Sequence, residues 1–170
     1  MNVSLMKFKT ALLVSFIIIL SLIAGCGSGP DSSTVQQAQW ARTVTAGNNS
    51  SQFFSVTVGS DGSIYAAGYI YGTAGHSFGN GVTAIGTGGD YNIVLVKYNS
   101  SGTAQWAKTV TAGNSWSYFN SVSVGSDGSI YAAGVIYGTG GYNFGNGITA
   151  TGVFNGANIL LVKYDSSGTA

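Results

Sequence analysis

Few side chains in this 170-residue sequence are of a type that does chemistry. His76 is the only histidine, Cys26 the only cysteine, and the acidic residues are Asp31, Asp61, Asp90, Asp127 and Asp165, with no glutamate. Acid–base catalysis needs several ionisable groups converging on one point, and this inventory leaves little to converge. His76 is matched 66 residues later by Tyr142. Such an exchange within one chain marks the position as a loop residue and not a base or metal ligand. Asp61 and Asp127 each stand between serine and glycine, where a carboxylate serves the local backbone of a turn. A calcium loop needs oxygen ligands at alternate positions, which isolated aspartates do not supply. The expectation is a protein that is not an enzyme and holds no cofactor or metal.

The charge balance points the same way. Lysine and arginine number 6 against 5 aspartates, a formal net charge of +1. Nucleic-acid binding demands a basic face, so no nucleic-acid partner is expected. Aromatic residues make up 12% of the chain, with many β-branched residues, which argues against disorder. The 27 glycines are spaced as punctuation, the composition of short strands joined by tight turns.

Cys26 takes its meaning from what precedes it. Lys7 and Lys9 are followed by an apolar run from Ala11 to Ala24, interrupted only by serine, that ends in Ala24-Gly25-Cys26. The run is shorter than the roughly 20 residues of a membrane-spanning helix and has the layout of a secretory signal. Leu22-Ile23-Ala24-Gly25-Cys26 resembles the bacterial lipoprotein signal, with Ile23 where leucine is commoner. The resemblance implies a signal peptide over 1–25 and a diacylglycerol on the sulfur of Cys26, which becomes the N-terminus. Acyl chains, at about 0.8 kcal/mol per buried CH₂, then hold the protein on a membrane. Residues 26–38 read as a flexible Gly/Ser/Pro tether. Gly27 stands where an inner-membrane retention signal has aspartate, which implies a cell-envelope location, in the outer membrane of a double-membraned host.

The remainder is a duplication. Residues 39–104 and 105–170 align over 66 positions without a gap, 47 of them identical. Within each unit Phe54, Val56 and Val58 alternate with polar residues, the period-two pattern of a strand. A Gly59–Ser63 turn leads to a second strand over 64–70, thinned by Ala66, Ala67 and Gly68 so that another sheet can approach. A glycine-rich connection spans 72–91. The strand 92–98 is apolar nearly throughout, as if buried on both faces, and 105–110 forms the fourth. Trp40 and Trp106 share one repeat position and are expected to pack between strands.

A four-stranded meander repeated at fixed spacing is the pattern of propeller blades. Val58 to Gly68, and the lysine strand leading through a serine-glycine turn to Trp106, resemble bacterial β-propeller repeats of the seven-bladed type. The resemblance implies an all-β fold of two four-stranded antiparallel blade-like repeats, an incomplete β-propeller. Closure takes roughly 4 to 8 blades. The sequence ends at Ala170, before the tryptophan strand of its second unit, while 39–44 is an orphan copy of that strand. Truncation of a longer protein is the preferred reading of this offset over self-assembly of short copies. Open sheet edges would in either case favour self-association.

Function is then sought where the repeats differ. Of 19 differences, 13 fall in the connections at 47–52 and 72–91 or their second-repeat equivalents. Loops on a rigid scaffold carry function, and Trp116, Tyr118, Tyr142, Phe154, His76 and Tyr91 are the candidate partner-binding loop residues. The expected role is a non-catalytic binding or scaffolding module for an unknown protein or glycan. The rivals are an envelope-assembly factor and a non-functional fragment of a larger propeller protein.

Overall fold

Strand alternation and glycine turns are realised from Ser51 onward. The computed structural model describes residues 37–113 and 115–170; the signal segment, Cys26 and the tether as far as residue 36 lie outside the described residues. Among the described residues there is no helix. The strands are β1 (Ser51–Val58), β2 (Ile64–Tyr71), β3 (Gly75–Gly79), β4 (Val82–Ile85), β5 (Tyr91–Tyr98) and β6 (Ala104–Lys108). The second repeat adds β7 (Ser117–Val124), β8 (Ile130–Tyr137), β9 (Gly141–Asn143), β10 (Thr149–Thr151) and β11 (Ala157–Tyr164).

All pairings are antiparallel. One sheet runs β1-β2-β5-β6, the other β11-β8-β7, and neither closes on itself. Each carries a separate hairpin, β3–β4 or β9–β10. The glycine-rich connection 72–91 is therefore not one long loop. Asn80-Gly81 turns the first hairpin with φ of 53° and 74°, the left-handed pair that Asn-Gly supplies at a two-residue turn. Asn80 then donates to the Ala104 carbonyl (3.0 Å) and pins the hairpin over its sheet.

The stripe on β1 also differs from the expected one. A bulge between Phe53 and Ser55 shifts the register by one residue. Phe53 replaces Phe54 in the line with Val56, and the equivalent Phe119 and Val122 are buried together. Gly68 is thin for this bulge and not for a second sheet. A Cβ there would lie 1.9 Å from the Gln52 carbonyl oxygen, and at Gly134 2.0 Å from that of Tyr118.

The main core lies between the two repeats. Tyr65, Ala67, Ile93 and Leu95 from β2 and β5 pack against Phe119, Val122, Ile130, Leu160 and Val162 of the second sheet. A smaller core, with Ile70, Phe78, Ala84 and Val96, fills the space between the first sheet and its hairpin. Burial on both faces holds for β5 but not for β11, where alternate residues are exposed. The tryptophans diverge likewise. Trp106 is half-buried in β6 with its ring 6.0 Å from Tyr65, whereas Trp40 is exposed and outside any strand, because no strand like β5 lies beside it.

Candidate functional site

The two ends of the strands are built differently. At one end lie the repeated turns. Asp61 accepts from the Ser63 backbone N–H (2.9 Å) and from its hydroxyl (2.8 Å), and Asp127 does the same for Ser129. These donors hold both carboxyls below the usual carboxylate range. The aspartates therefore serve their own turns, and they lie far apart in sequence and in separate hairpins.

The other end displays the variable residues on an unvarying frame. Buried Asn92 accepts from the N–H groups of Thr87 (3.0 Å) and Gly88 (2.9 Å). Its amide nitrogen donates to the carbonyls of Gly72, Gly88 and Asp90. Asn158 makes the equivalent bonds to Val153, Phe154, Gly138 and Gly156. A buried side-chain amide with its capacity this fully used fixes the loop, while every residue from 87 to 91 changes between repeats. Constant anchor and changed tip are thus separate residues. Sequence reading missed Asn92; the signal was an asparagine kept in both copies at the first position after a wholly altered run.

His76 and Tyr142 are not loop-surface residues: they are 0% and 1% exposed and lie on strands β3 and β9. His76 lies on β3 with Nδ1 3.2 Å from the Ala74 carbonyl oxygen and Nε2 3.3 Å from that of Asn49. Tyr142, on β9, directs its hydroxyl to the carbonyls of Tyr137 (2.9 Å) and Trp116 (3.2 Å). Both rings sit beneath a glycine of strongly positive φ, Gly47 or Gly113. Histidine and tyrosine interchange here because each offers a flat ring to bury and a polar tip for the loop above. They hold the backbone at Gly47 and Asn49, and at Gly113 and Trp116.

The structure does bring together Tyr91, Trp116 and Tyr118. Tyr91 meets Tyr69 (4.5 Å between ring centroids), Tyr71 (5.5 Å) and Trp116 (5.2 Å). Trp116 continues to Tyr137 (5.6 Å), and Tyr118 meets Phe54 (6.1 Å), which in turn meets Tyr69. The result is one aromatic array crossing both repeats, with Phe54, Tyr71 and Trp116 exposed. Burial, assisted by the neighbouring Tyr137, pushes the Tyr118 phenol up. Phe154 is 66% exposed on the 152–156 loop and is not part of this array.

No protein-family model matches the chain, and no curated protein matches it either. Among the described residues, no three histidine, cysteine, aspartate or glutamate side chains are grouped as a metal site. What the variable end offers is aromatic surface on a rigid support, suited to contact with a ligand of mixed apolar and hydrogen-bonding character.

Proposed function

We propose that this protein is a non-catalytic binding or scaffolding module of the bacterial cell envelope, built from propeller-type repeats and anchored by lipid at Cys26. The observation that carries the binding reading is the aromatic array through Tyr91 and Trp116, held by loops that Asn92 and Tyr142 fix from below. Aromatic side chains give large contact area at small entropic cost and are the usual anchors of an interface. The two stacked sheets with separate hairpins support the blade reading, and Leu22 to Cys26 supports the anchor. The partner is a protein or a glycan.

The binding reading is tested on folded variants assayed against envelope proteins and glycans. Trp116→Ala and Phe154→Ala are each expected to weaken binding by about 1 kcal/mol or more. Asp127→Ala acts through its turn and lowers stability without touching the contact surface. Normal binding by both loop variants, with loss confined to the turn variant, would overturn the reading. The anchor is tested separately: Cys26→Ser is expected to abolish incorporation of radiolabelled palmitate, and undiminished labelling would exclude lipid attachment there.

A further inference from the structure

The two repeats bury the same sequence positions once and leave them bare once. Ile93 and Leu95 are 0% exposed against the second sheet, whereas their equivalents Ile159 and Leu161 are 97% and 70% exposed. Conversely Phe119 and Val122 are buried against the first sheet, while Phe53 and Val56 are exposed. The molecule therefore presents at its two ends the two halves of an interface that it already forms between its repeats.

The backbone repeats this complementarity. In the first sheet β6 covers the edge of β5, with Lys108 opposite Leu95, Ala107 opposite Val96 and Trp106 opposite Lys97. Among the described residues no strand covers β11 in the second sheet, and a cleft of about 520 Å³ lies along it, lined by Phe144, Ala150, Leu161 and Val162. The segment Ala38-Gln39-Trp40-Ala41-Arg42 matches Ala104-Gln105-Trp106-Ala107-Lys108 and pairs with no strand. It is nevertheless already placed as β6 is. A Cβ on Gly102 would lie 2.8 Å from the Trp40 ring, as one on Gly168 would lie 3.1 Å from the Trp106 ring. Ala46 bridges Ser77 as Ala112 bridges Asn143.

We infer that a second copy of this chain docks head to tail. Its Ala38–Arg42 segment adds as a fourth strand to β11, and its Phe53 and Val56 pack on Ile159 and Leu161. One neighbour supplies both strand and apolar face, as the second repeat does for the first. The contact joins two different surfaces, so repetition propagates until it closes. The inference rests on the equivalence of the repeats alone, so it stands or falls apart from the loop reading above.

The test uses the full chain in detergent, in a Cys26→Ser background. Arg42→Cys on one preparation and Leu161→Cys on another reproduce the Lys108–Leu95 pair between molecules. Mixing and oxidation are expected to yield a covalent dimer, while Arg42→Cys with Ile85→Cys yields none. Light scattering is expected to give a discrete oligomer for the unsubstituted chain. Ile159→Asp, at a site exposed within one chain, is expected to leave a monomer of unchanged circular dichroism. A monomeric unsubstituted chain, or cross-linking as strong to position 85 as to position 161, would overturn the proposal.

Discussion

At the scale of the residue, the serine turns tie stability to acid. Asp61, Asp127 and Asp165 each accept from a serine N–H and hydroxyl two positions on, and all three carboxyls are held below their usual range, chiefly by these serine donors. Asn99 occupies the position of Asp165 in the other repeat and makes the same bonds to Ser101 and Thr103. The amide thus copies the geometry without the charge. A carboxylate whose folded pKa lies below the unfolded value of about 3.9 contributes stability that is fully present above that value. The contribution is lost as pH falls through the folded pKa. A variant with asparagine at 61, 127 and 165 is therefore expected to melt lower than the native chain at neutral pH, with the gap closing below about pH 4. A gap that stays constant through acid titration would show that the charge of these turns does nothing for the fold.

At the scale of the element, the strands were legible and the hairpins were not. The spans expected at 64–70 and 92–98 lie within β2 and β5, because their apolar runs are bounded by turn residues on both sides. The hairpin β3–β4 is hidden in the sequence by the glycines of 72–91, whose composition is that of a loop, although Asn80-Gly81 between Phe78 and Val82 carries the local turn chemistry. The bulge at Phe53 was also invisible: a one-residue insertion leaves composition untouched and moves a side chain to the other face. For the candidate site the sequence singled out the variable connections but not the division of labour within them. Variation between copies marks Trp116 and Tyr91, which are displayed, and equally His76 and Tyr142, which are buried. Difference alone does not distinguish a contact residue from a support that tolerates exchange. Burial does, and it arises from the packing of the hairpin against the loop above it.

At the scale of the whole molecule, the duplication creates one shared core and two unfilled halves of the same kind. Leu95 and Leu161 have one residue type and one place in the repeat, yet one is fully buried and the other largely bare. Their substitution by alanine separates what the chain needs to fold from what it offers for assembly. Leu95→Ala removes side-chain atoms from the core between the repeats and is expected to cost about 2–5 kcal/mol, since the surrounding sheets cannot collapse fully into the space. Leu161→Ala, measured by denaturant unfolding at a dilution where the chain is monomeric, removes atoms that already face water and is expected to change stability by no more than about 0.5 kcal/mol. The same variant weakens association when the chain is concentrated, because Leu161 then has the environment that Leu95 has within one chain. Equal losses for the two variants in the dilute chain would mean that the repeats do not pack through β5, and the shared core, with the head-to-tail docking built on it, would be wrong.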